Sequence, residues 1–541
     1  MPRGPLPSCA GWIAAVLCLV GVSAACARLS PVETPEWKVP TAGEPQLFAA
    51  TKCIRAFAIG RDGLVWAATE GGVVRWAEDP LLTRVWTTAD GLINNDVRTV
   101  TPGPAGGVIA RSPSGANEIT LEKGVATAPV EKREITTPIA RTKEATLTAT
   151  PGGLFYTRTG DTRRLVPLPA ASRASHVSAL AVGGGSKKHY LAGLYGDGVY
   201  RLRSPVSREP VWERIPLPDT CRFVTALATL PDDTVLIGTR HNGAFVRSAD
   251  GALIRPLETP NSLPSGDIYG LAAFGGHLYA TTFDQGVLAF GKNGRVVAHP
   301  EVKQGRTLVP FGDDLYALHA DHSVWRFDGD NWAPAWAKNT LRRGDVYSIA
   351  LDRTGHRLLV GGFGGWAEWD GATWRQHWNT PGLAGESITA IAADATGAVW
   401  VGTQRRGLFR CEGDSATAFQ EAQGLTDDWI TAIAVSPKGR LLVGTYTGGV
   451  LERTGDRFVQ RFAADKWAMR RVVFDGEKAL VATPVGLYRE GEGDHWEKID
   501  PGTTGGPEIQ AVLPAENGVW VGTRNGLAFT PLSGVRLSSV P

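Results

Sequence analysis

The chain has 541 residues, including 66 Gly, 35 Pro and 6 Cys, and its 56 basic residues nearly balance its 54 acidic ones. An apolar content of 43% excludes a disordered chain, the near-zero charge supplies no basic field for nucleic acid, and so few cysteines make no disulfide scaffold. What remains is a large, turn-rich protein of many short strands, long enough for more than one domain.

Residues 1–27 read as a secretory leader. Arg3 lies ahead of an apolar core, Trp12–Val22, that is too short to span a bilayer, and Ser23-Ala24-Ala25 supplies small residues for cleavage. The run ending in Cys26 resembles a bacterial lipoprotein box, which would make Cys26 the lipidated first residue. Ala25-Cys26-Ala27 fits an ordinary cleavage site as well. Residues 28–50 are then a tether, in which Glu36–Pro40 offers a lone closing strand. Beyond Cys26 only Cys53, Cys221 and Cys411 follow, and buried thiols are the expectation for all three.

From Ile54 onward a repeat runs to the end of the chain. Val177-Ser-Ala-Leu-Ala181, Val224-Thr-Ala-Leu-Ala228 and Ile268-Tyr-Gly-Leu-Ala272 share one pattern, which returns at Val346, Ile388 and Ile430 and more loosely at Ile54, Val97 and Ile509. Degenerate copies near Ile139, Arg306 and Met469 fill the double intervals, giving about twelve units of roughly 42 residues. In the clearest unit, Ile388-Thr-Ala-Ile-Ala392 is a first strand and Val399-Trp-Val-Gly-Thr403 a second. Gln404–Gly407 turns into a third strand from Leu408, and a more polar fourth ends at Gly424-Leu425. Two hairpins, Asp328-Gly329 before Trp332 and Asp370-Gly371 before Trp374, add a φ > 0 turn and a Trp on an outer strand.

Four strands per unit of this length predict an all-β protein of tandem β-propellers with four-stranded blades. Twelve blades exceed the roughly four to eight of one ring. The simplest division is six plus six, with a first propeller over 51–303 and a second over 304–541. Seven plus five, or a ring closed by amino-terminal blades, also satisfies the count.

The composite Gly-Leu…Ile-x-Ala-Ile-Ala…Trp-Val-Gly-Thr-x-x-Gly-Leu, carried best by Gly382–Arg410, Gly424–Leu451 and Gln510–Leu527, resembles the two-component-regulator propeller repeat. The resemblance implies the extracytoplasmic sensing half of a signalling protein, with carbohydrate-like ligands. This sequence shows no kinase segment after the propellers.

Blades of this kind present their second-to-third-strand loops on one face. Here those loops vary while the repeat frame stays fixed. They carry Tyr195; Arg240 and His241; Phe283, Asp284 and Gln285; Phe363 and Trp366; Arg405 and Arg406; Tyr446; and Arg524 with Asn525. Aromatics, Arg and amides are what a polar ligand or a protein partner's side chains need, so these are the candidate binding residues. An acid also precedes many first strands: Asp96, Asp267, Asp345 and Glu508, with Glu386 and Asp428 displaced by one. Its recurrence points to hydrogen bonding with loop backbone rather than catalysis. Phosphate-loop, zinc-protease and nucleophile-elbow motifs are not found, and His319-Ala-Asp321-His322 reads as a solvated loop. No cofactor, metal or catalytic residue is expected. The sequence therefore points to an exported, sensor-like module of the bacterial envelope, periplasmic or attached to the outer membrane. It would bind a small molecule or a protein without catalysis and touch a membrane only through a lipid anchor. The alternatives are a carbohydrate-active propeller lyase or hydrolase, and a structural envelope scaffold.

Overall fold

The computed structural model describes residues 46–532 apart from 78–82, 129–136, 184–188, 291–295, 338–339, 342–344, 464–467, 500–507 and single positions 62, 105, 171, 175, 204, 206, 208, 260 and 494. The leader, Cys26 and Glu36–Pro40 lie outside the described residues.

Short β-branched and aromatic runs between tight turns build twelve four-stranded antiparallel sheets. Blades 1–11 follow chain order over 54–86, 99–128, 139–166, 177–214, 224–257, 268–299, 305–334, 346–377, 388–419, 430–462 and 471–499. Blade 12 takes three strands from 509–531 and its fourth from the amino-terminal strand Gln46–Ala49, which pairs antiparallel with Gly526–Phe529. Phe48 secures that strand. It is 2% exposed, with its ring 5.9 Å from Trp520 and 6.0 Å from Phe290.

Second strands such as Val399–Thr403 and Leu441–Thr445 are buried at every position, because each sheet is covered by a neighbour on both faces. Blade meets blade through a notch. Gly402, in the second strand of blade 9, receives Ile430 of blade 10: an added Cβ there would lie 2.5 Å from Ile430 Cγ2. Thr389 Oγ1 of blade 9 donates to the Ile430 carbonyl. The same contacts identify neighbours where the chain doubles back. Gly238 of blade 5 receives Ile54 of blade 1, with an added Cβ 2.6 Å from its Cγ2, and Thr225 Oγ1 donates to the Ile54 carbonyl at 2.6 Å. Gly522 of blade 12 receives Ile268 of blade 6. Buried clusters close both seams, with Ile54, Trp76, Ala226 and Ala244 at the first and Phe48, Ile268, Trp520 and Phe529 at the second.

Blades 1–5 therefore form a five-bladed ring and blades 6–12 a seven-bladed ring. The expected division at residue 303 is corrected to 258–267. Blade 6 belongs to the second ring because Ile268 fills the Gly522 notch, while the Gly238 notch is taken by Ile54.

Candidate functional site

A Thr that ends eight of the twelve second strands, after Gly in four of them, helps build the loop face. Thr239 Oγ1 donates to the Gly243 carbonyl at 2.8 Å and accepts from the Asn242 amide at 2.9 Å. Thr403 does the same with Gly407 and Arg406, both at 2.9 Å. A buried hydroxyl thus pins loops of this kind, leaving the variable residues outside the bracket free to differ.

The first strands of blades 1, 2, 4 and 5, with Thr137 and Pro138 leading into that of blade 3, enclose a cavity of about 590 Å³, open at the loop face. Its wall carries Arg55, Arg98 and Arg240, and among the described residues no carboxylate lines it. The partners of these arginines stand outside it. Arg55 Nη2 lies 2.8 Å from Glu70 and 3.0 Å from Asp96, Arg98 Nε lies 3.6 Å from Asp96, and Arg240 Nη1 lies 3.7 Å from Glu70. Tyr195 and His176 stack at 5.1 Å with 19° between their planes, and half-exposed Phe223 meets Tyr195 edge-on at 5.4 Å. The mouth of the channel is thus cationic and aromatic. Cys53 at its rim is buried, and burial together with Glu70 pushes its thiol up to about 12, far from a nucleophile's range.

A second cavity, of about 290 Å³, adjoins the first and shares Arg55 and Arg240 with it. It lies where the rings meet. Glu70 and Asp96 come from ring 1, and Asp267, Phe283, Asp284, Arg524 and Asn525 from ring 2. Phe283 is 50% exposed there. His241 Nδ1 lies 3.5 Å from Asp284, yet burial lowers its pKa more than that carboxylate raises it, so the ring is neutral at pH 7. Burial likewise raises the carboxyl of Asp267, although Gln510 Nε2 donates to it at 2.7 Å and the Tyr269 hydroxyl at 3.2 Å.

The residues expected from the loops do not converge on one point. Tyr195 and Arg240 face the ring-1 channel, while Phe283, Asp284, Arg524 and Asn525 line the cleft with Arg240. Gln285 sits in a pinned loop of ring 2, its amide donating to Thr282 Oγ1. Elsewhere on ring 2 are half-exposed Phe363, Arg405 and Arg406 around Glu386, and Tyr446 stacked on Trp429 at 4.2 Å. Trp366 requires correction. It begins the third strand of blade 8, is 2% exposed and stacks on His377 at 4.1 Å inside the ring wall. It is a packing residue, because the loop ends at Gly365 and the next side chain points into the sheet.

The acids before the first strands also differ from expectation. Three of them pair with arginine side chains: Asp96 with Arg55 at 3.0 Å, Glu386 with Arg405 at 3.3 Å, and Glu508 with Arg524 at 2.6 Å. They orient arginines at the loop face, because a guanidinium is a stronger donor than a backbone amide. Among the described residues no group of three or more His, Cys, Asp or Glu is placed to hold a metal ion.

Residues missed by the loop reading are Arg55, Arg98 and His176. The signal was present one position away. Arg55 and Arg98 follow the first-strand anchor where blades 4, 5, 9 and 10 carry Ser178, Thr225, Thr389 and Thr431.

Residues 382–405 match the family described as two component regulator propeller, so the chain carries that repeat. No curated protein sequence matches the chain. Among solved structures it is similar to PorZ, an essential bacterial surface component of the type-IX secretion system of Porphyromonas gingivalis. The identity is 15%, the coverage 91% of this chain and 88% of that one, and the TM-score 0.63. At that identity the likeness shows the shared fold. Weaker matches are the extracellular domain of a hybrid two component system from B. thetaiotaomicron (15% identity, covering 90% and 71%, TM-score 0.43) and virginiamycin B lyase from Staphylococcus aureus (12%, covering 49% and 95%, TM-score 0.41).

Proposed function

We propose that this protein is an exported, sensor-like module that binds a polar, carbohydrate-like ligand at the channel mouth of the five-bladed ring, without catalysis. The observation that carries the reading is the channel wall, which presents three arginines and the His176–Tyr195 stack and, among the described residues, no carboxylate. Aromatic faces pack against sugar rings, and guanidinium forks donate to their oxygens. A glycoside-cleaving site instead needs a pair of carboxyl groups in the cavity, and those of the adjoining cleft include Glu70 and Asp96, held in ion pairs with Arg55. Export follows from the leader-like residues 1–27, and Cys26 would anchor the mature protein to the envelope through lipid.

The test is calorimetric titration of the leader-free chain with a panel of neutral and acidic oligosaccharides. A saturating ligand is expected to lose up to about tenfold in affinity with Tyr195→Ala, the worth of one aromatic contact. Ligands that bind equally well after Tyr195→Ala and Arg98→Gln place the site elsewhere. Turnover of any panel member by the pure protein overturns the non-catalytic reading.

A further inference from the structure

The seven-bladed ring has its own cationic centre. Arg471 stands on the first strand of blade 11 (Arg471–Asp475). Its Nη2 donates to the Arg306 carbonyl at 3.1 Å and Thr307 Oγ1 at 3.2 Å, with the Tyr269 carbonyl at 3.5 Å. Those residues belong to the first strands of blades 6 and 7. Blade 12 stands between blades 11 and 6 in the ring, so a side chain of blade 11 reaches them only by crossing the channel.

The acceptors Arg471 finds there are neutral. Among the described residues no carboxylate pairs with it, and its neighbour Arg470 adds like charge; burial first, and Arg470 second, push its pKa below the usual arginine range. An arginine at this depth ordinarily has an acidic partner. Its Nε and Nη1 hydrogens have no partner among the described residues, and neither nitrogen is sealed from solvent. The side chain as a whole keeps partial contact with water. A guanidinium therefore stands across the channel with one edge fixed to backbone and another edge open. Of the acids that precede first strands in this ring, Asp267 is engaged by Gln510 and Tyr269, Glu386 by Arg405 and Glu508 by Arg524.

We propose that the channel of the seven-bladed ring is a second binding site, separate from the ring-1 mouth, in which the open edge of Arg471 with Arg470 beside it holds a phosphate or sulfate group. Planar guanidinium donors match two oxygens of such a group, and the two positive charges supply the attraction. The group is either a free ion or a substituent on a larger ligand, and the two sources share this chemistry.

The experiment titrates the leader-free chain with inorganic phosphate, inorganic sulfate and glucose 1-phosphate, reading heat and thermal midpoint. Saturable binding of at least one of them is expected, weakened roughly tenfold or more in Arg471→Met, the worth of one charge-assisted contact. Because Arg471 also braces the ring, Arg470→Gln is measured beside it. That side chain is exposed, so its loss is expected to weaken binding several-fold while leaving the ligand-free midpoint unchanged. Tighter binding of the sugar phosphate assigns the site to a substituent, and equal binding assigns it to the free ion. No saturable binding by any probe, or affinities unchanged in both variants, overturns the proposal.

Discussion

The closure of the rings rests on which isoleucine fills which glycine notch, and that is open to a double-mutant cycle. In Gly238→Ala the new Cβ would stand 2.6 Å from Cγ2 and 2.7 Å from Cβ of Ile54, and 3.0 Å from Cβ of Ala226. None of these atoms is the far end of a flexible side chain, and Ile54 is fully buried. Relief requires strands to part, and overpacking of this kind costs about 1–3 kcal/mol. Ile54→Ala alone empties the notch and costs about 2–5 kcal/mol. Together the two changes offset one another, because the methyl added at Gly238 occupies part of the space that Ile54 vacates. A favourable coupling of about 1 kcal/mol or more is expected, read by equilibrium urea unfolding with tryptophan fluorescence. Gly238→Ala with Ile268→Ala should instead be additive within about 0.5 kcal/mol, while Gly522→Ala should couple to Ile268→Ala. Division into two six-bladed rings would set Gly238 against Ile268. Coupling in that pair, with additivity between Gly238 and Ile54, would falsify the five-plus-seven arrangement.

Three further outcomes are expected. Phe48→Ala should destabilise the second ring by about 3–5 kcal/mol in thermal or urea unfolding, because the ring it loses is buried against Trp520 and Phe290. Arg440 holds Glu452 and Glu490, each at 2.8 Å, and Arg440→Met should cost about 2–3 kcal/mol, the buried-pair value discounted for partial exposure. Burial alone would raise those two carboxyls, but Arg440 outweighs it and their folded pKa values lie below the ordinary 4.5. Their contribution is thus complete above that value and lost as pH falls through the depressed folded values. Urea midpoints measured on descending pH should therefore decline less steeply in the variant than in the parent. Burial pushes the thiols of Cys53 and Cys411 up to about 12 and that of Cys221 to about 11. Iodoacetamide at neutral pH should leave all three unmodified in the folded protein and label them in denaturant, as mass spectrometry would register.

Strands and turns were legible because the repeat states them twelve times. Ile388–Ala393 and Val399–Thr403 fall where alternation and the Gly-Thr ending place them. Ring membership was not legible, because Ile54 and Ile268 are the same residue type in the same frame, and each fits the notch of Gly238 as well as that of Gly522. Only the curvature accumulated over five or seven blades decides which isoleucine arrives. The closing strand at Gln46–Ala49 was missed in favour of Glu36–Pro40 because its four residues carry no repeat signature of their own. At the site, loop variation points to Tyr195 and Arg240, which the structure places on the ring-1 channel wall. It overran at Trp366, where two glycines imitate a longer loop, and passed over Arg55 and Arg98, which sit in strands whose buried neighbours make them look structural.

The pairing of Gln46–Ala49 with Gly526–Phe529 makes the five-bladed ring an insertion between the first strand and the remaining blades of its larger neighbour. The order of assembly follows from that threading. Ring 1 is complete once blade 5 has left the ribosome, whereas ring 2 must wait for the last strands of the chain. Until then the amino-terminal strand is an unpaired edge carrying the apolar Leu47 and Phe48, the kind of template that recruits other chains. A ring 1 that has already closed holds this strand near the start of blade 6 and so shortens the loop that remains to be closed. Lesions in blades 1–5 should accordingly lower the yield of folded ring 2 even though they touch none of its contacts.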